Sequence, residues 1–196
     1  MNDRRRFSEA ISEGDGISVI AEVAEATAAA SAATAGAEAL LVYSGREKAL
    51  PDIVASSSLP ILFYWDGEQT DVLAEVDACI LGMGDWRGDL LDHAHNSLDE
   101  DFELVFRIED EDQLREALER FDPEIFVLAC SRNDPGDAFE HVLDLLPDVP
   151  AGKLAIAELP NVTRDEVGAL ERAGFDGVIA AAAVVRDIVS AEPPDV

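Results

Sequence analysis

The chain has 196 residues and a formal net charge of −28 at pH 7, from 42 acidic and 14 basic side chains. This length allows one domain with a core that needs no disulfides, and this charge argues against nucleic acid and anionic membranes as partners. Only two basic residues are lysines, Lys48 and Lys153, and the acids are spread along the chain. We interpret this as the surface of a folded protein in a high-salt cytoplasm, where salt screens self-repulsion. An ordinary acidic protein of a GC-rich organism is the alternative.

Eight apolar, strand-like runs recur along the chain, each followed by a more polar, helix-like segment. They are VIAEV (19–23), ALLVYS (39–44), PILFYW (60–65), ACILGM (78–83), LVFRI (104–108), IFVLAC (125–130), LAIAEL (154–159) and GVIAAA (177–182). Most are continuously apolar, as expected for parallel strands that are covered on both faces. Eight such units predict a compact, single-domain α/β fold, a (β/α)8 TIM barrel with a parallel eight-stranded sheet over residues 1–190 and a flexible tail over 191–196.

Three segments between these runs carry helix signals. The alanine-rich stretch 24–39 predicts the first crossover helix, ending near Gly36. The amphipathic segment REALERF (115–121) follows EDEDQ, which places acids at the positive end of a helix. In TRDEVGALERAG (163–174), Thr163 and Glu166 form a predicted capping box and Gly174 a predicted stop. A strand, a capped helix, a glycine and a second strand are typical of a parallel βαβ unit.

The cysteines and the N-terminus indicate a cytoplasmic protein. Cys79 and Cys130 lie inside apolar runs of different strands, which predicts buried thiols in a reducing compartment rather than a disulfide. The arginines at positions 4–6 precede Phe7 as in a twin-arginine export signal, but the residues that follow are polar, acidic or small. We therefore expect no export. No run is long enough to cross a membrane.

Charged residues occur at the carboxyl ends of four predicted strands: Glu22, Arg107, Arg132 and Glu158. The interior of a small barrel is filled by side chains, so a charge there is costly unless it is paired or faces the mouth, where active sites of this fold lie. Two carboxylates and two guanidiniums around one mouth can bind an anion or transfer protons. A closed ring of salt bridges with no ligand explains the pattern equally well.

Several kinds of site are not indicated. The chain has no P-loop, and no lysine lies in a strand, which excludes a Schiff-base aldolase. His93 and His95 follow a helix-like stretch without a third ligand, and His141 lies in a helical pattern, so all three are expected on the surface and no metal is predicted. Cys130 has no histidine near it in sequence and is interpreted as a structural thiol. No cofactor is predicted.

Several segments, in order, resemble indole-3-glycerol phosphate synthase, the tryptophan-pathway lyase of the ribulose-phosphate-binding barrels. RRFSEAISEGDGISVIAEV is similar to its entry into strand 1, and LVFRIEDEDQLREAL to its strand and helix 5. LACSRND is similar to the end of its strand 6, and LAIAELPNVTRDEVGALERAGFDGVIAAAAVVR to its C-terminal region. The likeness keeps order and spacing over most of the chain, and it implies common ancestry and the barrel fold.

The residues that differ from this family include its two lysines. Glu22 matches the strand 1 glutamate, but the catalytic lysine two residues later is Ala24. The second lysine, after strand 3, falls at Tyr64, or with one residue of slippage at Phe63 or Trp65. Loss of general-acid catalysis costs about 10²–10⁴-fold per group unless Tyr64 or another donor substitutes.

Other family positions are partly retained. Glu158 matches the strand 7 glutamate, and Arg132 and Asn133 match part of the strand 6 motif. The strand 5 glutamate is replaced by Arg107, a reversal of charge. The phosphate site of the family uses backbone N–H groups of glycine-bearing loops, where this chain has Pro160, Ala181 and Ala182. The resemblance therefore implies a diverged barrel with a degraded phosphate site.

Three functions remain open from sequence. In the first, the barrel binds or transforms a small anionic metabolite by lyase or isomerase chemistry. Arg107, Arg132 and Asn133 would hold the anion, and Glu22, Glu158 and Tyr64 would be catalytic. In the second, the barrel is a pseudoenzyme or the partner of another protein, with a mouth filled by Tyr64, Trp65 and salt bridges. In the third, it is a true synthase with substitute groups, such as Arg46 and Lys48 after strand 2.

Overall fold

The computed structural model describes residues 6–14, 16–67, 70–84, 102–131, 137–159 and 161–189. Eight parallel strands pair in chain order, and the last pairs with the first, so the sheet is a closed barrel. This confirms the predicted (β/α)8 fold, with each strand within one residue of its predicted start. The strands are β1 Ser18–Glu22, β2 Ala39–Tyr43, β3 Ile61–Tyr64, β4 Ala78–Gly82, β5 Glu103–Ile108, β6 Ile125–Ala129, β7 Leu154–Glu158 and β8 Gly177–Ala181.

Helices cover the outside of the barrel. The α-helices within the described residues are α1 Phe7–Ser12, α2 Ala26–Ala35, α3 Leu50–Ser56, α4 Glu111–Arg120, α5 Ala138–Leu145, α6 Arg164–Ala173 and α7 Val185–Val189. The connection after β3 contains the 3₁₀ segment Thr70–Glu75 where the sequence pattern predicted an α-helix. The predicted tail 191–196 lies outside the described residues. None of the described helices combines the length and the apolar character needed to span a bilayer.

The three helix ends assigned from sequence are confirmed, including Gly174, which ends α6 in the left-handed conformation. Gly36 ends α2 in the left-handed conformation, with a φ of 102°, which glycine adopts at no steric cost. Helix α6 begins at a complete capping box, in which the Thr163 hydroxyl accepts from the backbone N–H of Glu166 and the Glu166 carboxylate accepts from the N–H of Thr163. Helix α4 begins within the acidic segment that was predicted to open it, with the side chain of Asp110 as its N-cap.

The capping box gives a first testable prediction. We expect Thr163→Ala to lower the free energy of unfolding by about 1 kcal/mol, since the backbone N–H of Glu166 loses its acceptor, the Thr163 hydroxyl. Denaturant unfolding at fixed KCl concentration measures this. Thr34→Ala is the matched control, because Thr34 is an exposed threonine in the last turn of α2 and its hydroxyl donates to the carbonyl of Ala30 rather than capping the start of a helix. A cost for Thr163→Ala no larger than that of the control would contradict the prediction.

The strand register divides the barrel interior into layers. One circuit of the eight register pairings returns to β1 displaced by eight residues, the shear of TIM barrels. Residues at one height therefore advance by one position per strand, and each layer takes four side chains from alternate strands. Three apolar layers follow from this: Ala39, Ala78, Ile125 and Gly177 lowest, then Ile20, Leu62, Val105 and Ile156, then Leu41, Ile80, Val127 and Ile179.

The amino end of the barrel is closed by α1, which the sequence analysis did not predict. Phe7 and Ile11 are buried and belong to the cluster of the barrel interior. The backbone N–H of Ser8 donates to Glu103 at 3.2 Å, and the Ser18 hydroxyl donates to the carbonyl of Ile11 at 3.3 Å. Within the described ranges, α1 closes the amino end and apolar side chains fill the interior, so the interior surface open to a ligand lies at the carboxyl ends of the strands.

A polar layer and a cavity at the barrel mouth

The fourth layer, above the three apolar ones, is polar. It consists of Glu22, Tyr64, Arg107 and Glu158, which lie two residues beyond interior apolar residues of β1, β3, β5 and β7. All four were singled out from sequence, and the structure brings them into one ring. The sequence resemblance placed the family's second lysine at Tyr64, Phe63 or Trp65. Of these, Tyr64 faces the barrel interior, whereas Phe63 and Trp65 belong to the cluster between the sheet and the helices.

A cavity of about 380 Å³ lies above this layer. The next layer takes its side chains from the even strands, and three of its four residues are small: Gly82, Ala129 and Ala181. Only Tyr43 of β2 fills its share of the space, so the interior remains open beside β6, β7 and β8. The cavity is lined by Glu22, Tyr43, Arg107, Cys130, Ser131, Glu158, Leu159, Ile179, Ala180 and Ala181.

Arg107 is held from three sides. Its Nε donates to Glu158, its Nη1 donates to Glu109, and its Nη2 donates to the carbonyl of Cys130 at 3.2 Å. The side chain is 5% exposed, against 18% for Glu158 and 21% for Glu109. Of the ring of salt bridges considered from sequence, the structure shows the pair of Arg107 with Glu158, and it adds Glu109 as a second partner of Arg107.

The electrostatics of Arg107 follow from these contacts. Burial by itself lowers the pKa of the guanidinium, but the charge of Glu158 and the hydrogen bonds to Glu109 and Glu158 outweigh it, so the pKa is raised. Arg107 is therefore charged at every pH at which the protein is folded. Because two carboxylates neutralise it before any ligand binds, its net attraction for an anion is small.

Glu158 also accepts a hydrogen bond from Tyr43, a residue that the sequence analysis did not single out. The Tyr43 hydroxyl donates to Oε1 of Glu158 at 3.3 Å. The Tyr43 ring stacks on Tyr64 with the centroids 5.3 Å apart and the planes 25° from parallel. Tyr43, Glu158 and Arg107 thus form a chain of hydrogen bonds across the mouth, which fixes the orientation of the Glu158 carboxylate.

Glu22 differs from Glu158 in its surroundings. It ends β1, its side chain is exposed, and it lines the cavity. Its register neighbours are Leu41 on β2 and Ala181 on β8, both apolar. No hydrogen bond or ion pair joins its carboxylate to another described residue. Of the two carboxylates at the mouth, Glu22 is the one available to accept a proton or a hydrogen bond from a ligand.

Cys130 lines the cavity, whereas Cys79 is fully buried, and both thiols are free. Burial is the largest influence on Cys130 and raises the pKa of its thiol, with the charges of Glu158 and Glu109 acting in the same direction and Arg107 against them. Burial also raises the pKa of Cys79. Both cysteines are thus protonated near neutral pH. Cys79 is buried as predicted, whereas the prediction is wrong for Cys130, which is half-buried and lines the cavity.

These thiols give a second prediction. We expect iodoacetamide to modify one cysteine of the native protein, Cys130, more slowly than a free thiol, because the raised pKa reduces its thiolate fraction. The rate should keep rising with pH beyond the range in which an ordinary thiol is fully ionised. Mass spectrometry of the alkylated peptides measures this, with Cys130→Ser as the control. Equal labelling of Cys79 in the folded protein would show that the prediction is wrong.

Some predicted site residues lie outside the described part of the chain. These are Arg132 and Asn133 after β6, Pro160 after β7, and the histidine pair His93 and His95. His141 is half-buried rather than on the surface as expected, because its Nε2 lies 2.8 Å from the backbone carbonyl oxygen of Glu109. Arg46 and Lys48, after β2, are exposed. Within the described ranges, no three His, Cys, Asp or Glu side chains are grouped to hold a metal ion.

Comparison with known proteins supports the barrel fold. No protein-family model matches the sequence, and no curated protein matches it significantly. A solved structure of thiamine phosphate pyrophosphorylase from Pyrococcus furiosus is 15% identical, with 88% of this chain and 89% of that chain covered and a TM-score of 0.63. The N-acetylmannosamine-6-phosphate 2-epimerase from Clostridium perfringens is 16% identical, with 95% and 93% covered and a TM-score of 0.68. At these identities the likeness shows a common (β/α)8 fold.

Proposed function

We propose that this chain binds a small phosphorylated metabolite in the mouth cavity and transforms its polar end, as a diverged ribulose-phosphate-binding barrel related to indole-3-glycerol phosphate synthase. The observation that carries the proposal is the open cavity of about 380 Å³ above the polar layer. It lies at the carboxyl ends of the strands, where barrels of this fold bind their ligands. Its volume is near the lower end of the range for ligand pockets, which suits a small metabolite.

Two kinds of similarity support a phosphate group on the proposed ligand. The names of both similar structures include a phosphate compound, and the sequence resemblance is to a synthase of a sugar-derived phosphate. In the proposal, Arg132 and Asn133 hold the phosphate, since Arg107 is already paired with Glu158 and Glu109. Arg107 then acts mainly by orienting the carboxylate of Glu158. It donates to the phosphate only from N–H groups that do not already donate to Glu158 or Glu109.

The carboxylates would divide the chemistry between them. Glu22, which has no partner among the described residues, would accept or deliver a proton, as a general base or acid must. Glu158 would accept hydrogen bonds from ligand hydroxyls in a fixed orientation, because Arg107 and Tyr43 hold it. Tyr64 lies in the same layer and would supply a hydroxyl in place of the second lysine of the synthase family.

A working synthase is disfavoured on physical grounds. The family's first lysine is Ala24, which has no acidic proton, and its second is Tyr64, which has a neutral hydroxyl in place of an ammonium group. Neither residue supplies a cation at the mouth. General-acid catalysis worth about 10²–10⁴-fold per group is therefore lost.

Ligand binding at fixed, molar KCl tests the proposal. We expect sugar phosphates of three to six carbons to raise the melting temperature, and their unphosphorylated parents to leave it unchanged. Calorimetry then gives the affinity of the best compound. Failure of all sugar phosphates to bind would refute the proposal. A parallel assay with carboxyphenylamino-deoxyribulose phosphate should show no indole fluorescence, and turnover that both Glu22→Gln and Glu158→Gln abolish would establish a synthase instead.

The closed network around Arg107 favours a second candidate, a non-catalytic barrel. Arg107, Glu158 and Glu109 satisfy one another without a ligand, so this part of the mouth is stable as a structural element. In that case Glu22→Gln would alter no ligand binding, and the protein would be recovered with a protein partner. The open space beside β7 and β8 is why we rank ligand binding first.

A further inference from the structure

The described side chains at the mouth carry more negative than positive charge. Glu22, Arg107 and Glu158 line the cavity, and Glu109 binds Arg107 from the side. The guanidinium of Arg107 is thus shared by two carboxylates, and Glu22 adds a third. Among the described side chains of this part of the cavity, negative charge is in excess, which favours a cation over an anion.

Glu22 restricts which chemical group of a ligand can bind beside it. Its carboxylate faces the cavity between Leu41 and Ala181, two apolar register neighbours. Because Glu22 is exposed, solvent can reach its carboxylate. A ligand that displaces this solvent has to donate hydrogen bonds in return, since an unsatisfied carboxylate is costly. An ammonium group does this better than a hydroxyl, because a charge-assisted hydrogen bond is about twice as strong as a neutral one.

Tyr43, on the neighbouring strand, adds an independent feature that favours a cation. Its ring lines the cavity and is supported from behind by the stacked ring of Tyr64. Its hydroxyl donates to Glu158, which fixes the ring in place. The face of an electron-rich ring attracts an ammonium group within about 6 Å of its centroid. Glu22 on β1 and Tyr43 on the neighbouring strand β2 line the same cavity, so a ligand there meets a carboxylate and an aromatic ring on adjacent strands.

We propose that the ligand presents a cationic amino group at this position, between Glu22 and the ring of Tyr43. The inference rests on the proposed function, in which the same ligand carries a phosphate group. The substrate class is then a small amino phosphate, such as an amino-sugar phosphate, whose ammonium end is bound at the polar layer and whose phosphate is bound in the surrounding loops. Glu22 determines specificity by discriminating the amine from a hydroxyl.

Matched ligand pairs that differ only in this group test the inference. We would titrate glucosamine 6-phosphate against glucose 6-phosphate, and 2-aminoethyl phosphate against 2-hydroxyethyl phosphate, by calorimetry at one KCl concentration. For the wild-type protein we expect the amine of a binding pair to bind at least about tenfold more tightly. In Glu22→Gln this preference should disappear, so that the two compounds of a pair bind with similar affinity. Tyr43→Phe should retain the preference, and Tyr43→Leu should reduce it.

The outcomes separate the two proposals. Equal or better binding of the hydroxyl compounds, or an amine preference that survives Glu22→Gln, would overturn the amine inference and leave the phosphate-binding function in place. Failure of every phosphate compound to bind would refute both. Thermal unfolding of each variant shows whether it is folded. If Glu22→Gln proves unstable, Glu22→Asp replaces it in the test. Because Glu22→Asp keeps the charge on a shorter side chain, it should retain part of the wild-type preference for the amine.

Discussion

Arg107→Met is expected to lower the free energy of unfolding by about 3 kcal/mol, the largest loss of stability that we predict for a single change at the mouth. The substitution keeps an unbranched side chain of similar length but removes the charge that Glu158 and Glu109 share. Breaking a buried ion pair by removing one partner costs about 3–5 kcal/mol. We take the lower end, because the two carboxylates are 18% and 21% exposed and gain some hydration.

A double-mutant cycle distinguishes this explanation from simple loss of packing. Glu158→Gln in the Arg107→Met background removes one of the two orphaned carboxylates, so the double variant should be more stable than Arg107→Met alone. Denaturant unfolding at fixed KCl concentration measures all four proteins. If the effects of the two substitutions add, Arg107 does not stabilise the mouth through Glu158, and the hydrogen-bonded chain to Tyr43 has no energetic role.

The same contacts make Arg107 a positioning residue for Glu158. In Arg107→Met we expect ligand affinity to fall together with stability, because Glu158 loses the donor that orients it. Glu109→Gln should have a smaller effect on binding, since Nε of Arg107 still donates to Glu158. A variant that binds ligand normally without Arg107 would show that Glu158 is held by Tyr43 alone.

The polar layer could be predicted from sequence because charged residues stand out in apolar strands. Glu22, Arg107 and Glu158 each end a run of apolar residues, and a buried charge is rare enough to indicate either pairing or function. That the three share one ring with Tyr64 could not be predicted. It depends on the register of eight strands, and a shift of one residue would turn a side chain from the interior to the helices.

Other parts of the site carry no signal in a single sequence. Tyr43 ends an ordinary apolar strand, where an aromatic residue is common. Glu109 is one of 42 acidic residues and lies in the acidic run before α4, so nothing marks it as a partner of Arg107. Helix α1 is short, and its only indication is the i, i+4 spacing of Phe7 and Ile11. The cavity itself arises from small residues on separate strands, which become neighbours only in the closed barrel.

Ala181→Leu is expected to reduce the affinity for the phosphorylated ligand at least about 100-fold, or 2.7 kcal/mol, while the protein remains folded. Ala181 ends β8, lines the cavity and is exposed. A leucine there adds three carbon atoms to a space that exists because Gly82, Ala129 and Ala181 are small. The added side chain also covers Glu22, its register neighbour on β1, and removes no polar group from the layer.

Calorimetry of Ala181→Leu beside two controls measures the effect. Ala30→Leu places the same side chain on an exposed position of α2 and should bind ligand like the wild type, whereas Ala181→Ser keeps the cavity open and should lose little affinity. Unchanged binding by Ala181→Leu would show that the ligand does not occupy this cavity. Loss of binding without loss of stability would show that the ligand needs the space above the polar layer. It would also show that the stability of the fold depends on the ion pairs of the polar layer and not on that space.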